Sequence, residues 1–221
     1  MIRIMKFLIG LMILAGCKET VVAQVPYQND IQAFKRADSI SAPPRHAIVF
    51  VGSSSFTKWT NVSDYFPGYT IINRGFGGST LPDVIHFAPE TILKYHPKQV
   101  VIYCGDNDLA SSDAVTPLMV LSRFKTLFNI IRKNEPKANI AYVSIKPSPS
   151  RVHLMPKMER ANAMIKAFLA KQKNSAFINI YDAMLGADHK PRSDIFIEDN
   201  LHMNEKGYAL WQEIIKPYLL K

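Results

Sequence analysis

The chain alternates two kinds of hydrophobic pattern. Five short runs are almost continuously apolar and rich in β-branched residues: Ala47–Gly52, Tyr69–Asn73, Gln99–Cys104, Asn139–Ile145 and Ala176–Tyr181. Runs without polar alternation suit strands buried on both faces. Other stretches carry apolar residues at three- and four-residue spacing. Thr116 followed by Pro117 predicts an N-cap with proline at the first helical position, opening a helix to Lys133. Leu121, Phe124, Leu127, Phe128 and Ile131 lie on one face of it. Pro156–Lys173 repeats the pattern, Asn204–Tyr218 predicts a last helix, and Asp30–Ile40 an early one. Strands alternating with helices predict a single α/β domain, a three-layer α/β/α sandwich around a five-stranded parallel sheet of flavodoxin-like order. The Pro/Ser stretch Lys146–Arg151 follows a strand and is expected at the C-terminal edge of that sheet, where such folds bind ligands.

The first residues belong to a different regime. Arg3 and Lys6 precede an apolar run, Phe7–Ala15, followed by small residues. This is the layout of an export signal, and the run is too short to span a membrane. Leu14-Ala15-Gly16-Cys17 resembles the bacterial lipobox, in which the cysteine is lipidated and becomes the first residue; a competing cut lies after Ala23. The expected organisation is therefore a signal peptide over 1–16, an N-terminal segment with a short helix over 17–45, and the α/β domain over 46–221. The expected location is the bacterial cell envelope, as a periplasmic or outer-membrane lipoprotein, with a soluble periplasmic or secreted form as the alternative. Cys104, the other cysteine, sits in an apolar run and reads as a small buried hydrophobe.

Composition changes the picture little, but charge does. The 221 residues carry 27 Lys/Arg and 18 Asp/Glu, a formal net charge of +9. Leu121–Lys173 holds 12 basic residues against two acids, Glu135 and Glu159, so the whole excess lies there. No stacking aromatics are interleaved and no nucleic-acid module is visible, which argues against a nucleic-acid partner. The stretch reads as basic helix faces, with Lys146 and Arg151 at the ligand edge.

Four places could carry chemistry. The first strand ends in Gly52-Ser53-Ser54-Ser55, placing a serine at the sheet edge. The second runs into Asn73-Arg74-Gly75-Phe76-Gly77-Gly78-Ser79, a glycine-rich loop that does not match a dinucleotide fingerprint. The third ends in Gly105-Asp106-Asn107-Asp108; its two acids invite a cation, but hard cations want more oxygen ligands than are visible. Near the C-terminus, Asp199 and His202 are spaced to lie on the same side of one turn, so that the acid can orient the imidazole. The remaining histidines show no metal-ligand spacing, and neither metal nor organic cofactor is expected.

In this order the four blocks resemble the SGNH/GDSL hydrolase family, whose blocks are a Gly-x-Ser, a Gly-rich loop, a Gly-x-Asn-Asp and an Asp-x-x-His. The resemblance covers Val49–Tyr208. It implies Ser54 as nucleophile, His202 as base and Asp199 as its orienting acid. It implies oxyanion donors from the Ser54 and Gly78 backbone N–H groups and the Asn107 side chain, with Asp108 as a loop brace. Arg74, Lys146 and Arg151 are candidate substrate contacts. The family's usual Gly-Asp-Ser is here Gly52-Ser53-Ser54, a departure that leaves Ser53 and Ser55 as flanking candidates. The implied activity is an exported serine ester hydrolase acting through an acyl-enzyme on a small-molecule, glycan or lipid ester, as in a glycan deacetylase or a lysophospholipase. A glycan O-acetyltransferase, or a glycan- or lipid-binding module on the same fold, is the alternative. Membrane association would come through the lipid anchor, and oligomeric state is not legible.

Overall fold

The computed structural model describes residues 26–221; the export signal, the lipobox Cys17 and the cut after Ala23 lie outside the described residues. The strands are β1 (Ile48–Gly52), β2 (Ile71–Gly75), β3 (Gln99–Tyr103), β4 (Asn139–Val143) and β5 (Ser175–Ile178). All pair in parallel, in the order β2-β1-β3-β4-β5. The helices are α1 (Gln28–Ile40), α2 (Ser54–Thr57), α3 (Val62–Tyr65), α4 (Leu81–His86), α5 (Ala88–Thr91), α6 (Asp106–Ala110), α7 (Pro117–Asn134), α8 (Met155–Leu169) and α9 (Glu205–Ile215). Among the described residues no helix is long and apolar enough to cross a membrane.

The strand runs read as continuously apolar because both sheet faces are covered. Val49 and Val51 of β1 point into one core with Ile102, Tyr142, Phe124 and Ile165, under α4, α7 and α8. Ile48 and Phe50 point into the other with Trp59, Tyr103 and Trp211, under α2, α3 and α9. Alternate residues thus face opposite cores, as the pleat requires. Thr116 caps α7, its hydroxyl accepting from the Met119 N–H at 3.2 Å, and α9 opens in the same way from Asn204 to Gly207.

Four boundaries differ by several residues from the sequence pattern. β2 runs on to Gly75 because its polar residues are satisfied inside: Asn73 donates to the carbonyls of Phe56 and Trp59. β5 stops at Ile178, because the N–H groups of Ile180 and Tyr181 turn to the Ser144 hydroxyl instead of a strand partner. α8 ends at Leu169, and α9 gives way at Lys216 to a single 3₁₀ turn containing Pro217, whose missing N–H ends the α-helical ladder.

Candidate active site

The strand order reverses direction between β1 and β3, and the loops leaving these two strands open the crevice where open α/β sheets place ligands. Gly52 makes the exit from β1 possible. Its φ is +136°, and a Cβ there would lie 1.9 Å from the Tyr103 carbonyl oxygen, so only glycine passes β3 at that distance. The next residues separate cleanly. Ser53 is fully buried, its N–H bonded to the Tyr103 carbonyl at 3.0 Å, and Ser55 is buried against the second core. Ser54 opens α2 and faces the edge.

His202 comes from the opposite side. Residues 197–202 form a tight loop closed by the Ile197 N–H to the His202 carbonyl, with Asn200 in the left-handed region. His202 Nε2 lies 3.0 Å from Ser54 Oγ, and Nδ1 lies 2.6 Å from Asp199 Oδ2. The other Asp199 oxygen accepts the N–H groups of Leu201 and His202 at 2.9 and 2.8 Å. Partial burial works against the Asp199 charge, but these two N–H groups and the imidazole hold its carboxyl down to about 2. Tyr208 of α9 donates to the Ser55 carbonyl at 2.9 Å, tying the histidine-bearing segment to the serine-bearing one.

The loops from β2 and β3 complete the edge. Gly78 has φ +83°, and its N–H, like that of Ser54, donates to no protein acceptor among the described residues. Asn107 Nδ2 donates to Ser53 Oγ at 2.6 Å and to the Ser79 carbonyl at 3.1 Å, which stitches three loops together. Asp108 accepts the Leu81 N–H and pairs with Arg123 at 2.7 Å, a brace between α6, α4 and α7. Burial pushes its carboxyl above the ordinary value despite these partners.

Of the three basic residues expected at the substrate, Arg74 falls elsewhere, and Lys146 and Arg151 turn to Asp106 behind Asn107. Arg74 projects to the face covered by α1, where its guanidinium bonds Asp38, the Tyr95 hydroxyl and the Asn73 carbonyl and lies over the Phe34 and Tyr95 rings. It is not brought to the serine. Lys146 is 1% exposed, its ammonium 3.5 Å from Asp106 and over the Tyr103 ring, so the Pro/Ser loop carries it inward rather than to the rim. Arg151 is also largely covered: one guanidinium nitrogen lies 3.0 Å from Asp106, and the other donates to Asn107 Oδ1 at 3.0 Å. The sequence showed Asp106 as one acid of a turn; its two cations arrive 40 and 45 residues later, a pairing no local spacing reveals. Cys104 is buried as expected, and burial, with Asp108 and Asp106 adding, pushes its thiol well above the ordinary value. Among the described residues no group of three or more His, Cys, Asp or Glu side chains is placed to hold a metal ion.

A serine in hydrogen-bond reach of an imidazole, itself held by a carboxylate, at the edge of a parallel α/β/α sheet, defines the class of α/β serine-type hydrolases. The model of the GDSL-like lipase/acylhydrolase family matches residues 38–210, and the chain belongs to that family: it is a carboxylic ester hydrolase with the SGNH/GDSL fold. Solved structures share the fold. A Streptococcus pneumonia protein provisionally described as a platelet activating factor superposes with a TM-score of 0.76 at 18% identity, over 87% of this chain and 92% of its own. A GDSL-like lipase from Bacteroides thetaiotaomicron VPI-5482 gives 0.73 at 24% identity, over 85% and 96%. A mutant acetyl-xylooligosaccharide esterase from Geobacillus Stearmophilus gives 0.62 at 15% identity, over 80% and 95%. No curated protein matches.

Proposed function

We propose that this hydrolase works through a Ser54–His202–Asp199 triad and an acyl-enzyme. The reading is carried by one observation, the continuous chain from Ser54 Oγ through both imidazole nitrogens to Asp199, with links of 3.0 and 2.6 Å. In it, His202 takes the Ser54 proton as Oγ attacks the ester carbonyl. The tetrahedral oxyanion is met by the N–H groups of Ser54 and Gly78 and by the Asn107 amide, one of whose hydrogens exchanges from its resting partner to the oxyanion. His202 then protonates the leaving alcohol, and water, activated by the same imidazole, releases the acid. Asp199, ionised throughout, keeps the imidazole oriented and stabilises its protonated form.

The substrate proposed is a small acyl ester of a glycan or a lysolipid. That the Geobacillus Stearmophilus neighbour is named for acetylated xylooligosaccharides supports placing an acetylated glycan first among the substrates tried. Export and lipid anchoring at Cys17 are proposed on the sequence pattern alone.

The test is a fluorophosphonate probe followed by peptide mapping, with hydrolysis of p-nitrophenyl acetate in parallel. Labelling is expected on Ser54, and Ser54→Ala should lose about 10⁴–10⁶ in kcat. Undiminished turnover and labelling in Ser54→Ala would show that the nucleophile lies elsewhere. Comparing p-nitrophenyl esters of rising chain length with acetylated xylooligosaccharides and a lysophospholipid then assigns the acyl group. Mass spectrometry of the mature N-terminus decides the anchor: an unmodified chain beginning at Gln24 excludes it.

A further inference from the structure

Behind the oxyanion edge lies a buried charge cluster that the triad chemistry leaves unused. Asp106 is 4% exposed and Lys146 1%. Although burial opposes its charge, Asp106 is held below the ordinary carboxyl value by Lys146 and Arg151, and burial pushes the Lys146 ammonium down. Buried charges of this kind persist only when something pairs and hydrogen-bonds them. Here the pairing ends on the amide of Asn107: Arg151 Nη2 donates to its Oδ1 at 3.0 Å.

A side-chain amide has two faces of opposite polarity. Only one orientation turns N–H groups toward a developing oxyanion; the other would present a carbonyl oxygen to negative charge. Arg151 donates and cannot accept, and the Ser79 carbonyl, 3.1 Å from Nδ2, accepts and cannot donate. Both therefore favour the productive orientation, and a flipped amide would face a donor with its N–H₂ and a carbonyl with its oxygen. Asp106 lies 3.0 Å from the other terminal nitrogen of Arg151, an ion pair that draws the guanidinium inward without a hydrogen bond of its own. With Lys146 and Arg151 charged and Asp106 ionised, the cluster carries a net +1.

We propose that Arg151, held by the Asp106–Lys146 pair, is a positioning residue that fixes the Asn107 amide as an oxyanion donor. The inference rests on the triad reading and on Asn107 acting in it. It replaces a direct substrate contact for Arg151 with an action through Asn107.

The test is a double-mutant cycle on p-nitrophenyl acetate hydrolysis with kcat and KM separated. Asn107→Ala should lose about 10²–10³ in kcat. Arg151→Ala should lose about 10- to 100-fold in kcat with KM within about threefold of the parent, and in the Asn107→Ala background it should cost no further factor above about two. Methylguanidinium in the assay should restore part of kcat to Arg151→Ala and none to Asn107→Ala/Arg151→Ala. Arg151→Lys, which keeps the charge but donates from a single nitrogen, should fall between parent and Arg151→Ala and guards against a merely misfolded alanine variant. Additive losses, or a KM rise with kcat held, overturn the positioning role, the latter by putting Arg151 on the substrate. If Asn107→Ala alone is without effect, the oxyanion assignment itself fails, and the positioning role with it.

Discussion

Replacing Asp106 by Asn removes the carboxylate that two buried cations share while keeping the side chain's shape and its bond from the Asn107 N–H. The ion pairs are 3.5 Å to Lys146 and 3.0 Å to Arg151. At an effective dielectric of about 20 each is worth roughly 5 kcal/mol of Coulomb attraction. Restoring water to the carboxylate gives several kcal/mol of that back, and breaking a buried pair from one side costs about 3–5 kcal/mol net. The folded variant has one escape, which is to release the Lys146 proton. Burial already lowers the Lys146 pKa, and losing Asp106, the larger of the two acids that raise it beside Asp199, lowers it further. A lysine whose folded pKa lies below its unfolded value leaves the unfolded chain holding more protons between the two, so stability rises with pH across that interval. Urea unfolding followed by circular dichroism should show Asp106→Asn less stable by about 3–5 kcal/mol at pH 7, with the deficit shrinking toward pH 10. Asp106→Asn/Lys146→Met should be more stable than Asp106→Asn alone, because it leaves one buried cation instead of two. A deficit below about 1 kcal/mol, or one independent of pH, would refute the claim that these charges are paired and desolvated in the folded chain.

Three further outcomes follow from other parts of the structure. Asp199 is held at about 2 against an ordinary 3.8, so its contribution to folding is complete above the ordinary value and is lost as pH falls through about 2; in pH-jump assays the acid limb of kcat/KM should accordingly show one proton, not two, down to about pH 3. Arg74→Met should lower stability by about 1.5–3 kcal/mol, because Asp38 loses one charged donor but keeps the Lys94 ammonium and the Tyr95 hydroxyl, while kcat/KM for neutral esters stays within about twofold; a large KM rise would return Arg74 to the substrate. Gly52→Ala should cost about 3 kcal/mol or more, or fail to fold, because its Cβ meets a backbone oxygen at 1.9 Å that no rotamer can relieve; a thermal midpoint near the parent's would contradict it.

What was legible in the sequence depended on whether the determinant was local. The five strands and the long helices were readable because burial on two faces leaves apolar runs, and amphipathic packing leaves a 3.6-residue period. Thr116 was readable because a cap is a contact within one turn; Asn204 was read only as the start of the last helix, and the structure makes it a cap. Ser54, Asp199 and His202 were singled out because four short blocks stand in the order of the family they resemble, and the structure brings their side chains together. The ends of β2 and β5 were not readable, because Asn73 and Ser144 decide them through partners in other segments. The short helices α4, α5 and α6 carry too few residues to show a period. Lys146 looked like a loop lysine because the acid that draws it inward, Asp106, lies across the sheet edge on another loop.

The basic stretch changes meaning for the same reason. Five of its 12 Lys/Arg residues serve the fold. Arg123 pairs with Asp108, Arg132 holds the carbonyls of Ala138, Lys173 and Asn174, Lys157 holds those of Asp113 and Val115, and Lys146 and Arg151 turn to Asp106. The remaining seven, Lys125, Lys133, Lys137, Arg160, Lys166, Lys171 and Lys173, are exposed. In a parallel sheet the connecting helices run back against the strands, so the C-terminal ends of α7 and α8 lie at the edge opposite the active site. Lys133, Lys137, Lys171 and Lys173 sit at or beyond those ends. At physiological salt a charge more than about 8 Å from a site is largely screened. Exchanging these four for Gln should therefore leave kcat/KM unchanged for both an anionic and a neutral ester of the same acyl group. A tenfold loss confined to the anionic ester would show that the surplus charge steers substrate after all, from the far side of the molecule.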